Sequence, residues 1–118
     1  MNEDQILDKT NRMNLLYDFY SDLLTEKQQT FLKYYFYEDF SLGEIAEQFQ
    51  VSRQAIYEHV KRAEGTLENL ESKLQLVDKH EQRQRLLSDL EQLTNQVEDK
   101  AVADQFRMAI AKLRALEA

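Results

Sequence analysis

The sequence predicts an all-α protein, and three observations carry that prediction. Two glycines, no proline and 31% charged residues in a chain of 118 leave few places where a helix must break. Thr25 with Gln28 and Ser41 with Glu44 each form the spacing of a capping box, in which the hydroxyl and the longer side chain each satisfy a free backbone N–H at a helix start. Apolar residues recur at intervals of three and four along most of the chain, the period of an amphipathic helix.

The elements follow in order. Residues 4–24 carry Ile6, Met13, Leu16, Tyr17, Tyr20, Leu23 and Leu24 at helical spacing and predict one amphipathic helix, fraying before Lys9. The box at Thr25 opens a second helix, with Phe31, Leu32, Tyr35 and Phe36 as its apolar stripe, ending near Glu38. A third begins at Leu42 and presents Leu42, Ile45, Ala46 and Phe49 on one face. Its stripe is lost at Gln50 and Val51, and Ser52 then offers a new N-cap. From there Ile56, Val60, Ala63, Leu67, Leu70, Leu74 and Val77 alternate intervals of 4 and 3, a heptad seam long enough to predict a helix that buries its edge against other helices or a second subunit. Gly65 within it lowers helix propensity by about 1 kcal/mol, which a long packed helix absorbs.

The chain is predicted to turn near residues 77–79, with Asp78 and Glu81 marking the restart. Leu86, Leu90, Leu93 and Val97 and then, after a break near Glu98 and Asp99, Val102, Phe106, Ile110 and Leu113 predict two further helices. Eleven of the twelve aromatic residues lie between Tyr17 and Tyr57, which puts the globular core in the N-terminal half. The expected division is a head over residues 1–65 and a leucine-rich helical extension over 66–118, packing on the head or on a second subunit, with a homodimer slightly favoured. Tyr34, Tyr35 and Tyr37 read as core residues, the alternative being rings that stack on unpaired RNA bases.

A short helix, a turn of about three residues and a longer helix make a helix-turn-helix unit, whose second helix can lie in the major groove of DNA. Ala46 supplies the small side chain that lets the two helices cross closely. Residues 24–64 resemble the helix-turn-helix of sigma-factor region 4. The wording Phe40-Ser-Leu-Gly-Glu-Ile-Ala and Val51-Ser-Arg-Gln-Ala-Ile-Tyr, with Thr10-Asn-Arg-Met-Asn upstream, resembles the YlxM family of small bacterial helix-turn-helix proteins over residues 9–74. That resemblance implies a cytoplasmic regulatory protein associated with the signal recognition particle pathway. One position departs from the general motif: its turn usually opens with glycine, which enters positive φ freely, and Gln50 stands here. A turn of slightly different shape, or one under mild strain, is expected.

Net charge is −7, unfavourable for binding phosphates. The acidity is not uniform: residues 1–50 carry −6, residues 51–65 carry +1 and residues 66–118 carry −2. The helix after Ser52 is thus the one stretch of the three that is not acidic, which suits weak, salt-sensitive binding by a local basic face. On a helical wheel Ile56, Val60, Ala63 and Leu67 fall on one side and Arg53, Gln54, Tyr57, Glu58, Lys61 and Arg62 on the other. Arg53 can reach a phosphate or the acceptors of guanine, and Gln54 matches the donor and acceptor of adenine. Ser52 caps the helix and can touch a phosphate beside its N-terminus. Lys61 and Arg62 are candidate backbone contacts, Tyr57 can offer its hydroxyl, and Glu58 opposes phosphate unless it accepts from cytosine. The bland reading of the same face is a solvated helix surface.

Nothing in the sequence suggests an enzyme or a cofactor. His59 and His80 lack metal-ligand spacing, there is no glycine-rich phosphate loop, and no nucleophile elbow occurs. The absence of cysteine removes thiol chemistry and cysteine-ligated zinc. No apolar run approaches a membrane span and the polar N-terminus does not resemble a signal peptide, so a cytoplasmic protein is expected. Two functions from different classes remain: a regulator that binds DNA or structured RNA through the helix after Ser52, or a protein-interaction module whose acidic head, including Asp18, Asp22 and Glu38, meets a basic component of the signal recognition particle.

Overall fold

A computed structural model describes residues 2–117. They are 86% helical and contain no strand, which establishes the all-α class. Contacts divide the chain into two units, one up to Val77 and one from Asp78.

In the first unit, α1 spans Glu3–Tyr20 and opens with a capping box that the sequence reading passed over: the Asn2 side chain accepts from the Gln5 N–H at 2.8 Å, and the Gln5 side chain accepts from the Asn2 N–H at 3.1 Å. The helix expected over 4–24 stops at Tyr20, and Ser21–Leu23 form a single 3₁₀ turn. The reason is the next cap. Thr25 must be extended to accept from Gln28, so the chain straightens at Leu24 first. The second helix, α2, spans Glu26–Leu32 and continues as a π-helical turn over Lys33–Tyr37, ending at Asp39 with φ 61°.

The capping box at Ser41 and Glu44 starts α3, Leu42–Phe49, and Ser52 caps α4, Arg53–Leu74. Met13, Leu16 and Tyr20 of α1, Phe31, Leu32 and Phe36, Ile45 and Ala46 of α3, and Ile56, Val60, Ala63 and Leu67 of α4 make one buried cluster. Each large side chain in it contributes about 1.5–3 kcal/mol. The crossing of α3 and α4 buries the small Ala46, as its size suggested.

The heptad seam does not run unbroken to Val77. Leu74 is exposed, α4 ends there, and Gln75 turns the chain with φ 56°, so α5 starts at Leu76, ahead of the predicted turn at 77–79. Tertiary partners explain the early break. The Tyr20 hydroxyl accepts from the Leu76 N–H at 3.1 Å, and the Glu71 carboxylate accepts from the Val77 N–H at 3.1 Å and from the Tyr20 hydroxyl at 2.5 Å. The first free N–H groups of α5 are therefore satisfied by side chains from α1 and α4.

In the second unit, α5, which spans Leu76–Thr94, is followed by α6, Lys100–Glu117, started by Asp99, whose side chain accepts from Ala101 and Val102. Glu117 joins His80 at 2.8 Å and Arg83 at 2.6 Å, and Arg107 donates to Asn95 at 3.2 Å, tying the two helices together near both ends. Their burial pattern corrects the predicted register. On α5 Val77 is buried in the core of the first unit, and beyond it the more buried positions are His80, Gln84, Leu87, Glu91 and Thr94, while Leu86, Leu90 and Leu93 are 61%, 44% and 57% exposed. On α6, Ala103 and Ile110 are buried but Val102, Phe106 and Leu113 are exposed. The left-handed residue at Gln75 starts a new helical phase, so the seam of α4 cannot be extrapolated across it.

Candidate nucleic-acid interface

The turn between α3 and α4 is what aims the candidate face. Gln50 adopts φ 54° and ψ 45°, its N–H donates to the Glu47 carbonyl at 3.3 Å, and the Val51 N–H donates to the Ala46 carbonyl at 3.1 Å. This is a Schellman motif with glutamine at the left-handed position, so the turn keeps the shape that glycine would adopt and carries the strain of a side chain there. One residue later the Ser52 hydroxyl accepts from the Ala55 N–H at 3.0 Å and α4 begins.

From that start, Ile56, Val60, Ala63 and Leu67 point into the core, and Arg53, Gln54, Tyr57, Glu58, Lys61 and Arg62 are all exposed. Arg53, Gln54 and Tyr57 share an open cleft with Leu42 at the start of α3. Arg53 and Arg62 have no ion-pair partner among the described residues. Lys61 is less free: its ammonium lies 3.6 Å from the Glu64 carboxylate and 5.7 Å from the centre of the Tyr57 ring. Glu64 also takes Lys9 of α1 at 3.3 Å, so α1 brings a further cation to the edge of the face. The Gln54 amide reaches Glu58 at 3.5 Å, a long contact that occupies the one carboxylate in the middle of the face.

On the flank toward α2, His59 is half-buried with its ring stacked on Phe31, centroids 5.2 Å apart and planes inclined by 29°. Burial pushes the imidazole pKa below its ordinary 6.5, and the positive charges of Lys27 and Arg62 push the same way against a small opposing effect of Glu58. The sequence singles out His59 only as a residue without metal-ligand spacing, and Lys27 not at all. The only signal in the chain was the basic character of Lys27, and nothing local links it to a histidine on another helix.

The three tyrosines weighed as base-stacking platforms are engaged within the fold. The Tyr34 hydroxyl accepts from Gln48 at 3.0 Å and its ring packs on Phe40 and Phe49; Tyr35 meets Phe36 edge-on. Tyr37 is 44% exposed, but its hydroxyl donates to the Asn14 carbonyl at 3.1 Å and to the Asp18 carboxylate, and its ring meets Tyr17 edge-on. Burial and Asp18 together raise the Tyr37 pKa. Among the described residues no group of three His, Asp or Glu could hold a metal ion, and no helix is long and apolar enough to cross a membrane.

A family described as "UPF0122: Putative helix-turn-helix protein, YlxM / p13 like" matches residues 7–110. The chain belongs to this family. The match to UPF0122 takes in the helix-turn-helix and most of the second unit as well. A UPF0122 protein of Listeria welshimeri is 57% identical over 90 residues, covering 75% of this chain and 82% of that protein. One from Listeria monocytogenes serotype 4b is equally similar over the same shares. A UPF0122 protein of Bacillus thuringiensis is 46% identical over 112 residues, which is 95% of this chain and all of that protein.

Proposed function

We propose that this UPF0122 protein is a non-enzymatic nucleic-acid-binding regulator that lays the exposed face of α4 on DNA or structured RNA. The observation that carries the reading is the pair Arg53 and Arg62: two exposed guanidinium groups, neither with an ion-pair partner among the described residues of a chain of net charge −7, on the helix that follows a helix-turn-helix turn. In this reading Arg53 meets a phosphate or guanine, and Gln54, once it leaves its long contact with Glu58, reads adenine. Ser52 and Tyr57 add hydroxyl contacts, while Lys61 and Arg62 hold the backbone.

The finer parts rest on different supports. Residues 1–65 act as the reading head and the leucine-rich remainder pairs two copies into a homodimer; the exposed leucine edge of α5 supports this. Action in the signal recognition particle pathway, and with it a cytoplasmic location, is supported by the resemblance to YlxM proteins.

The test is a salt-titrated binding measurement against duplex DNA from the protein's own operon, the RNA of the signal recognition particle and an unrelated duplex, beside an Arg53→Ala, Lys61→Ala variant. Preferential binding should weaken by roughly 40-fold between 50 and 200 mM salt if three phosphates are contacted, and the variant should lose it. Absence of binding to all three at low salt would overturn the proposal in favour of a protein-docking module, for which reversal of Asp18 or Asp22 would be the informative change.

A further inference from the structure

A second basic feature lies beside the face described above. Thr25, Lys27, Gln28 and Phe31 at the start of α2 and His59 and Arg62 of α4 line a pocket of about 300 Å³. No carboxylate lines it, in a chain where acidic residues outnumber basic ones 22 to 15. Lys27 and Arg62 are exposed and have no ion-pair partner among the described residues. His59 is held against Phe31 with neither ring nitrogen hydrogen-bonded within the described chain. Gln28 is fixed as the wall: its side chain accepts from the Thr25 N–H at 3.0 Å and its amide donates to the Thr66 hydroxyl at 3.3 Å.

Two cations without an ion-pair partner among the described residues and an imidazole line one pocket. The cations present only donors and the imidazole gains a second donor when protonated, which together complement a compact anion with several acceptor oxygens. Elsewhere in the same head Lys9, Arg12 and Lys61 are each paired with a carboxylate of α4, while Arg53, on the proposed reading face, like Lys27 and Arg62 has no ion-pair partner among the described residues. Lys27 and Arg62 are left without one although Glu58 and Glu26 are close by in the chain.

We propose that this pocket binds a phosphate group, held by Lys27, His59 and Arg62. Under the function proposed above, on which the identity of the source rests, it is a backbone phosphate flanking the α4 contact, and Arg62 is shared between the two. The alternative source is a free phosphate. His59 then becomes a reporter. It is faced by Lys27 of α2 and by Arg62 and Glu58 of α4 and titrates below 6.5 in the free protein; a bound phosphate supplies the missing negative charge and raises its pKa.

The experiment follows the His59 imidazole by NMR through a pH titration of the whole chain in chloride, in inorganic phosphate at matched ionic strength, and with duplex. In parallel, the salt slope of duplex binding is compared for the native protein, Lys27→Ala and the Arg53→Ala, Lys61→Ala variant. The expected result is an upward shift of the His59 pKa with phosphate and with duplex, lost in Lys27→Ala, and a salt slope about one smaller in that variant. Duplex binding that requires Arg53 and Lys61, with no His59 shift and an unchanged slope in Lys27→Ala, would overturn the pocket and leave the α4 reading standing. A His59 shift in inorganic phosphate without binding of any nucleic acid would overturn the α4 reading and assign the pocket to a free phosphate. No shift under any of the three conditions would overturn the pocket outright.

Discussion

Gln50 is a residue in the wrong conformation for its chemistry. A non-glycine side chain at φ 54° costs on the order of 1 kcal/mol or more, because its Cβ crowds the backbone. Gln50→Gly keeps both hydrogen bonds of the turn, since these come from backbone groups, and removes that crowding. Offset by the larger freedom of glycine in the unfolded chain, the net gain should be about 0.5–1 kcal/mol, seen as a higher urea midpoint. A lower midpoint would mean that the glutamine side chain stabilises the turn in a way its exposed position does not suggest. The strain was readable from the sequence, because the motif needs positive φ at that place and the residue type is known. The same conformation at Asp39 and Gln75 was not, because no local motif demanded it there.

Between elements, the fold is joined by a small polar hub. Tyr20 is fully buried, its pKa raised first by burial and then by its hydrogen bond to Glu71, and it connects the end of α1 to the end of α4 and the start of α5. Tyr20→Phe keeps the ring in the core but leaves the buried Glu71 carboxylate one donor short and the Leu76 N–H without an acceptor. Hydrogen bonds to a charged group of this kind are worth about 1.5–3 kcal/mol, and the urea midpoint should fall accordingly. An unchanged midpoint would show that water replaces the hydroxyl at no cost. Sequence reasoning placed Tyr20 in the core by its spacing, yet missed the hub, since Glu71 reads as one more acidic residue on a helix surface. The π-helical turn at Lys33–Tyr37 escaped for a related reason: an extra residue in a helix is accommodated by packing around Phe36 and leaves the local hydrophobic pattern intact.

At the scale of the whole molecule, net charge is unevenly divided along the chain. The first unit carries nearly all the net negative charge, whereas residues 78–118 hold seven basic and eight acidic side chains and are close to neutral. Leu86, Leu90 and Leu93 lie exposed along α5 of that nearly neutral part, where pairing with a second copy meets little charge repulsion. If the homodimer forms there, Leu86→Glu with Leu90→Glu should shift the sedimentation coefficient from dimer to monomer while leaving helix content unchanged, because neither residue is buried in the single chain. A native chain that sediments as a monomer at tens of micromolar, about the range in which a weak interface would still be seen, would end the dimer reading.

By itself the sequence determined the helices, the two capping boxes it revealed, the helix-turn-helix and the residues on the outer face of α4. All of these depend on neighbours within about four positions, where backbone hydrogen bonding and helical spacing act. Tertiary structure alone decided where α4 ends, which edge of α5 is covered, that Glu64 draws Lys9 and Lys61 together, and that Lys27 and Arg62 flank His59. Those outcomes hinge on groups from different helices meeting in space, and the energy of such meetings leaves no periodic trace along the chain.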